Sequence, residues 1–287
     1  MNRYKHKVAL VTGGASGIGR ALGERLASNG AIVYLADIDG AAAQAAADTL
    51  RPQGGQVIAA TLDVTDAQAF QALANRIRTE RGHIDYLFNC AGLAMVAEVK
   101  AMTLEHWSRV TRVNIDGVVH GIHAVYQAMI DRRAGHIVNM GSVAGFLPVP
   151  GSAVYAMSKH ALTGLTLSLR AEAAAFGVHV SLVCPGFVNT PLLTNSPIIG
   201  LDADKMLANP LRAHLMTPQR CADLILRRIH KRRAIITVTG HAWWLYRLYR
   251  FFPGVFHRWL LPAGMVMNRR EYALPEEQSK PGAQPES

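Results

Sequence analysis

The sequence has few cysteines and no long apolar run. Its three Cys, at positions 90, 184 and 221, show no C-x-x-C spacing. This indicates reduced thiols in a cytoplasmic protein rather than a disulfide framework or a zinc site, and no metal is expected. No stretch of about 18 uncharged apolar residues occurs, which argues against an ordinary transmembrane helix. The apolar run near the N-terminus ends in glycines and is too short for a signal peptide.

Acidic residues are missing from one part of the chain. Residues 226–270 contain ten Lys and Arg and no Asp or Glu. The whole chain has 30 basic and 20 acidic residues, so the remainder carries 20 of each and is neutral. The basic excess is therefore local. Its aromatic residues lie among aliphatic ones rather than on a strand platform, which argues against a nucleic-acid partner.

Half of the residues are apolar and 17% are charged, a composition that can form a sizeable core. Up to residue 240, short and mostly apolar β-rich runs alternate with helical patterns, as is typical of strands buried on both faces. This alternation predicts an α/β fold: a Rossmann-type doubly wound parallel sheet of about seven strands, in a single domain with a C-terminal helical extension. The predicted strands are Val8–Thr12, Ile32–Ala36, Val57–Leu62, Ile84–Asn89, His136–Met140, His179–Cys184 and Ile235–Thr239. The predicted helices span 17–29, 40–51, 66–81, 104–131, 155–176 and 218–232.

A glycine-rich loop follows the first predicted strand. Residues 12–19 read TGGASGIG and open a helix. Glycines permit a sharp turn there and let the backbone and the helix N-terminus approach a pyrophosphate. This context favours nucleotide binding over a purely structural turn. The spacing T-G-x-x-x-G-x-G resembles the glycine loop of the short-chain dehydrogenase/reductase family. The loop residues expected at the cofactor are Gly13, Ser16, Gly17, Ile18 and Gly19.

Asp37 ends the second predicted strand and indicates which dinucleotide binds. A carboxylate at this position can accept hydrogen bonds from both adenosine ribose hydroxyls and would repel a 2′-phosphate. NADP-preferring relatives usually have a basic residue in the glycine loop or just after this strand, where this chain has Ser16 and Ile38. NAD is therefore the expected cofactor, and NADP is less favoured. The alternative role of Asp37 is to cap the next helix, for which Asp39 is better placed.

Tyr155 and Lys159 are four residues apart on a predicted helix and therefore share one face. Such a pair taken alone is usually a solvated helix surface. Here Ser142 follows the fifth predicted strand and Asn114 lies in the long central helix. In order and approximate spacing, these residues resemble the catalytic pattern of the short-chain dehydrogenase/reductase family. The resemblance covers about residues 5–240.

The chemistry of alcohol oxidation explains these residue types. A free tyrosine has a pKa of about 10 and is a poor base at neutral pH. A nearby ammonium and the positive nicotinamide ring would lower the pKa of Tyr155, which would then act as the base in oxidation or the acid in reduction. Ser142 would hold the substrate oxygen. The resemblance implies that Lys159 also binds the cofactor's ribose hydroxyls and that Asn114 holds a water connecting Lys159 to solvent.

The resemblance implies further cofactor contacts beside the strand ends. Asp63 would contact the adenine side, and Thr190 the nicotinamide amide. One departure is Cys90, where the family usually has Asn; we expect a buried small residue with no catalytic role. The implied contacts beyond the glycine loop and Asp37 are Asp63, Val64, Asn89, Ala91, Gly92, Tyr155, Lys159, Pro185, Gly186, Val188 and Thr190.

Two loops that shape the substrate cleft in this family, 143–150 and 192–216, are rich in apolar residues here. No cluster of Arg or Lys converges in them to clamp an anionic substrate, and Arg212 is the single nearby candidate. We therefore expect a lipophilic secondary alcohol or its ketone, although ordinary packing of a lid on the body would give the same composition. Two alternatives stay open: an NADPH-dependent carbonyl or 3-oxoacyl-type reductase, and a non-catalytic dinucleotide-binding, membrane-associated scaffold. The second is disfavoured because Ser142, Tyr155 and Lys159 are all present.

The expected organisation is a catalytic domain at 1–240, an aromatic and basic extension at 241–273 and a disordered tail at 274–287. In the segment 241–261, arginines interrupt the apolar residues and Pro253-Gly254 breaks the chain, which predicts two short amphipathic helices. This segment could contact a membrane peripherally, cover the substrate cleft or a neighbouring subunit, or pack on its own body. The resemblance implies a homodimer or homotetramer.

Overall fold

The computed structural model of the protein describes residues 3–51, 56–208 and 215–272, and at its centre lies a seven-stranded parallel sheet. The strands, in chain order, are β1 (Val8–Thr12), β2 (Ile32–Asp37), β3 (Gln56–Thr61), β4 (Tyr86–Asn89), β5 (Val96–Ala97), β6 (Gly135–Met140), β7 (Val178–Cys184), β8 (Ile198–Ile199) and β9 (Ile235–Thr237). The order in the main sheet is β3-β2-β1-β4-β6-β7-β9, whereas β5 and β8 pair separately. The predicted Rossmann-type doubly wound fold is confirmed.

Helices cover both faces of this sheet and continue beyond it. They are α1 (Gly17–Ser28), α2 (Gly40–Leu50), α3 (Ala67–Arg81), α4 (Leu104–Thr111), α5 (Gly117–Asp131), α6 (Ala153–Ala174), α7 (Pro191–Thr194), α8 (Ala203–Leu207), α9 (Pro218–Ile229), α10 (Gly240–Phe251), α11 (Pro253–Val255) and α12 (Leu261–Tyr272). Local sequence sets several of these ends. Asp66 accepts hydrogen bonds from two amides at the start of α3, and Gly82 ends that helix at a positive φ of 82°.

The continuous apolar strands are explained by two cores, one on each face of the sheet. In β1, Ala9 and Val11 face the core formed with α1, α2 and α9, whereas Val8 and Leu10 face the core formed with α3, α5 and α6. All four side chains are 2% exposed or less. Because successive strand residues point to opposite faces, a strand covered on both sides needs apolar residues throughout.

The predicted helix 104–131 is wrong in one detail. The structure divides it into α4 and α5 around a π-helical turn at Arg112–Asp116. Asn114 lies in this turn and is fully buried. A π-turn shifts the helical register and is frequent at functional sites. The helical periodicity of the sequence on either side gives no sign of it.

The predicted lid at 192–216 contains more regular structure than expected. Helices α7 and α8 flank strand β8, which pairs in parallel with β5. Residues 209–214 of this loop, and the predicted disordered tail at 274–287, lie outside the described residues.

The C-terminal extension, defined here as residues 240–272, is helical. Its break falls at Phe252, before Pro253, as the sequence predicts; the second segment continues from α11 through a π-turn at Phe256–Leu260 into α12. Over the described part of the chain, no helix combines the length and the apolar character needed to cross a bilayer.

Candidate active site

The sheet topology creates a crevice at the carboxyl ends of the strands. The strand order reverses between β1 and β4, where Thr12 pairs in register with Asn89. Ligands of doubly wound α/β proteins bind at such a switch point because the loops on its two sides run in opposite directions. The glycine-rich loop, Asp37 and the loop after β4 all adjoin this crevice.

The glycine-rich loop has a shape that side chains would prevent. Gly13 and Gly17 adopt positive φ angles of 63° and 52°. A Cβ at Gly13 would lie 2.9 Å from the Ala91 backbone, and one at Gly19 would lie 2.2 Å from the Gly13 carbonyl oxygen. Close approach therefore requires glycine here. The N-terminus of α1 opens immediately after this turn, so its free amides fit a pyrophosphate.

Thr12 joins the two sides of the crevice. Its Oγ1 accepts hydrogen bonds from the Cys90 and Ala91 amides, at 3.0 and 3.1 Å. These bonds hold the loop after β4 against the glycine-rich loop. Thr12 was not among the site residues expected from the sequence, although its position directly before Gly13 was the available signal.

Asp37 is partly exposed at the end of β2, at the edge of the crevice. One carboxylate oxygen accepts a hydrogen bond from the Ala15 amide at 3.0 Å, and the other accepts one from the Asp39 amide at 3.2 Å. Asp39, not Asp37, caps α2 by accepting a hydrogen bond from the Ala42 amide at 2.9 Å, as the sequence predicts. Asp37 is therefore linked to the glycine-rich loop.

The residues after β3 lie farther along the same edge. Asp63 is exposed, and its carboxylate accepts a hydrogen bond from the Thr65 amide at 2.8 Å. Val64 is buried, and its carbonyl oxygen lies 2.9 Å from Nδ1 of His120. The Asp63 side chain thus faces solvent beyond the strand end, where an adenine contact remains a prediction.

Helix α6 brings Lys159 beneath the ring of Tyr155. Lys159 Nζ lies 5.5 Å from the centroid of the Tyr155 ring and donates a hydrogen bond to the Met140 carbonyl at 2.9 Å. The lysine is only 5% exposed, and burial lowers its pKa to about 8. The end of β6 thus anchors the ammonium group next to the phenol.

Ser142 follows β6 and faces the same phenol. Its hydroxyl accepts a hydrogen bond from the Ala144 amide at 3.1 Å, which fixes the turn at Val143–Gly145. Burial raises the pKa of Tyr155, and a hydrogen bond with Ser142 opposes that rise. With these protein groups alone the pKa of Tyr155 is raised. This differs from the lowering predicted from the sequence, in which the positive nicotinamide ring also took part.

Asn114 holds the loop that follows β4. Its side-chain oxygen accepts a hydrogen bond from the Leu93 amide at 2.7 Å, and its amide donates to the Leu93 carbonyl at 2.8 Å and to Ser158 Oγ at 2.9 Å. A Cβ at Gly92 would lie 3.3 Å from the Asn114 side-chain oxygen and 3.7 Å from Lys159 Nζ. Asn114 therefore positions the loop beside Lys159, and its water relay remains a prediction. Ser158 was not found from the sequence.

Asn89 points into the protein rather than into the crevice. Its amide donates a hydrogen bond to the Asn139 side-chain oxygen at 2.9 Å, and Asn139 in turn donates to Thr166 at 3.0 Å. Asn89 is 2% exposed, so its side chain does not line the cofactor cleft as expected. Contacts of Asn89 and of residues 91 and 92 with a cofactor remain predictions.

The loop after β7 closes the other side of the crevice. The carbonyl of Pro185 accepts a hydrogen bond from the Val143 amide at 3.0 Å, which ties this loop to the Ser142 turn. Val188 is buried and pairs with Met216. Thr190 precedes α7, where a Cβ at Gly17 would lie 3.4 Å from its side chain. The glycine-rich loop and the expected nicotinamide side are therefore in contact.

Cys90 is half-buried rather than fully buried as expected, and it is an unsuitable nucleophile. Burial raises the pKa of its thiol to about 12, which keeps the thiol protonated. All three cysteines are free. Within residues 3–51, 56–208 and 215–272, no group of three or more His, Cys, Asp or Glu could hold a metal ion.

The family model for short chain dehydrogenases matches residues 7–197 of this chain. The chain belongs to the short-chain dehydrogenase/reductase family. Members of this family are oxidoreductases that act on CH–OH or carbonyl groups, and the family binds a nicotinamide dinucleotide.

Relatives of this short-chain dehydrogenase agree with that assignment. The probable oxidoreductase EphD of Mycobacterium tuberculosis is 35% identical over 256 residues, covering 85% of this chain but only 43% of EphD. The chain thus spans less than half the length of that relative. The 3-oxoacyl-[acyl-carrier-protein] reductase FabG of Escherichia coli is 37% identical over 189 residues, which is 66% of this chain and 76% of FabG. A short-chain dehydrogenase/reductase from Burkholderia phymatum, solved in complex with NAD, is 32% identical with a TM-score of 0.81, over 89% of this chain and 96% of that one.

The C-terminal extension packs on the segments that follow β5, β6 and β8. The Tyr246 ring lies 4.6 Å from that of Phe146, in the loop after β6. Arg269 donates two hydrogen bonds to the Glu98 carboxylate, at 2.7 and 2.8 Å. The Asp202 amide donates to the Tyr272 carbonyl at 2.9 Å. A cavity of about 120 Å³ remains between them, lined by Pro150, Leu260, Leu261, Gly264 and Met265.

Proposed function

We propose that this oxidoreductase is NAD-dependent and transfers hydride between the nicotinamide and a lipophilic secondary alcohol or its ketone. The observation that carries the proposal is the meeting of Tyr155, Lys159 and Ser142 at the carboxyl ends of the strands, beside a loop shaped for a pyrophosphate. The bound nicotinamide supplies the hydride acceptor or donor. The glycine-rich loop would hold its pyrophosphate, and Asp37 its adenosine ribose.

Tyr155, Ser142 and Lys159 each have a different role in the proposed proton transfer. In oxidation, Tyr155 takes the hydroxyl proton of the alcohol; in reduction, it returns a proton to the carbonyl oxygen. Ser142 holds that oxygen near the phenol. Lys159, held by the Met140 carbonyl at 2.9 Å, contributes positive charge that favours the phenolate. Because its pKa is lowered to about 8, this contribution weakens above that pH.

The surroundings of Asp37 support NAD over NADP. The carboxylate is fixed by the Ala15 and Asp39 amides, and the next residue, Ile38, is 69% exposed. A 2′-phosphate would meet a carboxylate and an apolar side chain there. The Burkholderia phymatum relative is described in complex with NAD, which agrees with this preference.

The entrance to the site supports an uncharged, apolar substrate. The charged side chains described there are paired with each other: Arg269 with Glu98, and Lys205 with Asp202 at 3.4 Å. The cavity of about 120 Å³ beside them is lined mainly by apolar residues of the extension, among them Leu260, Leu261 and Met265. Among the described residues, a site of this kind favours apolar ligands over a carboxylate or phosphate.

A second candidate is an NADPH-dependent reductase of 3-oxoacyl chains. The FabG relative favours it, because its name gives a 3-oxoacyl-[acyl-carrier-protein] substrate and 37% of the aligned residues are identical. The two candidates share the Tyr155 chemistry and differ in cofactor and direction. As is typical of the family, we also propose a homodimer or homotetramer.

Titration with NAD and NADP, followed by turnover of an alcohol series, tests the proposal. We expect tighter binding of NAD and turnover that rises with the apolar length of a secondary alcohol. Preference for NADPH with reduction of 3-oxoacyl thioesters would favour the second candidate. Turnover of short polar hydroxy acids alone would refute the lipophilic substrate. Dinucleotide binding with no turnover of any alcohol or ketone would favour the scaffold.

A further inference from the structure

The C-terminal extension exposes a large share of the protein's apolar surface. In the part of the chain that the structure describes, sixteen large apolar side chains are exposed, and nine of them lie between residues 244 and 266. Soluble monomers rarely expose a large apolar patch without a function. The nine are Trp244, Leu245, Leu248, Phe251, Phe252, Val255, Trp259, Leu260 and Val266.

Helix α10 has an exposed apolar side and an opposite side that packs on other parts of the protein. Leu248 and Phe251, 47% and 70% exposed, are three residues apart on one side. Tyr246 and Tyr249 point the opposite way: Tyr246 contacts Phe146, and Tyr249 packs on Phe256 at 5.4 Å. Tyr246 therefore attaches the helix to the body, Tyr249 joins it to the second segment of the extension, and the outward stripe is left to solvent.

The segment after the break repeats this arrangement. Val255 and Trp259 are four residues apart and 50% and 66% exposed, whereas Phe256 between them is buried against Tyr249. The Arg258 guanidinium lies 5.8 Å from the Trp259 ring and is itself exposed. Exposed rings and an arginine thus occur together on this segment too.

The positive charge of this surface favours a negatively charged partner. Residues 226–270 have ten basic and no acidic residues, and Arg250 and Arg258 are exposed among the rings. Anionic lipid attracts such cations, while aromatic rings settle at headgroup depth. A second copy meeting this face by two-fold symmetry would bring arginines together with no carboxylate from the segment to balance them.

We propose that residues 244–260 dock on an anionic lipid surface and lie in its headgroup layer. The opposite side of the extension contacts Phe146 in the loop after β6 and Glu98 just after β5. Docking therefore places the extension between the lipid and the Phe146 loop beside the proposed site, close to a membrane in which a lipophilic alcohol would be dissolved. The first statement stands without the proposed oxidoreductase activity; only the second depends on it.

Sedimentation of the full-length protein with vesicles tests the docking without any turnover. Phosphatidylcholine vesicles with and without phosphatidylglycerol are compared, each at low and high salt. We expect binding to the anionic vesicles and a substantial loss of that binding at high salt. Equal binding to both vesicle types, or none to either, would overturn the proposal.

Two matched pairs of variants locate the surface. Phe251→Ser/Trp259→Ser should weaken vesicle binding on the order of tenfold, whereas Leu104→Ser/Phe176→Ser, which removes exposed apolar groups elsewhere, should change it by less than about threefold. Arg250→Glu/Arg258→Glu should also weaken binding on the order of tenfold. Its control, Arg227→Glu/Lys231→Glu, makes the same change of charge outside the extension.

The mass of each variant in solution distinguishes lipid docking from the other possible occupant of this face, a second copy of the chain. If Phe251→Ser/Trp259→Ser turns an oligomer into a monomer and leaves vesicle binding unchanged, the face belongs to a second copy and the proposal is refuted. Weaker vesicle binding at unchanged mass supports it. Circular dichroism and the unfolding midpoint confirm that each variant is folded.

Discussion

At the amino ends of the strands Asp85 is 7% exposed, whereas Asp37 at the carboxyl ends is partly exposed and accepts two backbone amides. Asp85 accepts hydrogen bonds from the Val8 amide at 2.9 Å and from Lys7 and Arg132 at 3.2 Å each. Although burial alone would raise the pKa of Asp85, its amide partner and neighbouring cations lower it. One carboxylate is satisfied by the fold, and the other retains capacity for a ligand.

A buried lysine at the carboxyl ends of the strands and a buried histidine at their amino ends show the same contrast. At the carboxyl ends, Lys159 is surrounded by thiols and a phenol, and its pKa is lowered because it is buried without a carboxylate partner in the described residues. At the amino ends, His136 is 5% exposed and its ring lies 5.7 Å from that of His179. The first arrangement leaves a charge available to chemistry. The second keeps a neutral ring within a hydrogen-bond network.

Replacing Tyr155 with Phe should have the largest effect. We expect turnover to fall by about 10³-fold or more, because the phenol is the only proton donor proposed at the substrate, with cofactor binding unchanged. Steady-state rates and an NAD titration measure the two quantities. Tyr126→Phe is the matched control: its hydroxyl is buried without a partner, so removal should leave turnover and stability nearly unaltered. Comparable rates for both variants would refute the role of Tyr155.

Replacing Asp85 with Ala should affect stability and leave the chemistry intact. The change removes the acceptor of four hydrogen bonds, the fourth from His83 Nε2 at 3.1 Å, and we expect a loss of about 3 kcal/mol in the free energy of unfolding. Turnover per folded molecule should stay within about twofold. Urea unfolding measures the loss, with Asp66→Ala as a control that removes an exposed helix cap and should cost about 1 kcal/mol. Loss of activity without loss of stability would remove the distinction between the two ends.

The sequence predicted the carboxyl end better than the amino end. Gly13, Asp37, Ser142, Tyr155 and Lys159 belong to motifs with fixed spacing, so their positions beside the crevice could be inferred. The network at the amino end joins residues far apart in the chain, such as Lys7, Asp85 and Arg132, with no motif to connect them. Such contacts appear only once the strands are in register.

Within the site, the sequence predicted which residues lie near the crevice better than where their side chains point. Asn89 belongs to the expected motif, yet its amide turns inward to Asn139. Asn114 occupies a π-turn that helical periodicity does not reveal, and its partner Ser158 has no motif at all. These orientations depend on packing between β4, β6 and α6, which one-dimensional spacing does not contain.

Changing the surroundings of Asp37 should alter cofactor preference by about 100-fold. In Asp37→Ser/Ile38→Arg, the ribose acceptor is lost and a cation for the 2′-phosphate is gained, so the ratio of NAD to NADP affinity should fall. Fluorescence titration with both cofactors measures this ratio. Asp39→Ser, two residues away, keeps a helix-capping side chain and should leave it unchanged. An unaltered ratio in the double variant would contradict the assignment of Asp37 to the ribose.

His136 should make the protein less stable in acid. Ser181 donates its single hydroxyl proton to the Arg233 carbonyl at 2.8 Å, so His136 Nε2, 2.9 Å from Ser181 Oγ, must be the donor in that pair. A second proton would have to enter at the buried Nδ1. Burial, followed by the charges of His179, Arg170 and Arg232, lowers the pKa of His136 to about 3.

The sign of the effect follows from proton binding. Below the ordinary histidine pKa of about 6.5, the unfolded chain binds a proton at position 136 that the folded protein excludes. Stability is therefore complete above that pH and falls by about 1.4 kcal/mol per pH unit towards pH 3. Urea unfolding between neutral pH and pH 4 should show a shallower slope for His136→Gln than for the unmodified protein or for His160→Gln, which changes an exposed histidine. Equal slopes in all three would mean that the proton enters at another buried group, with His179, whose pKa is also lowered, as the next to replace.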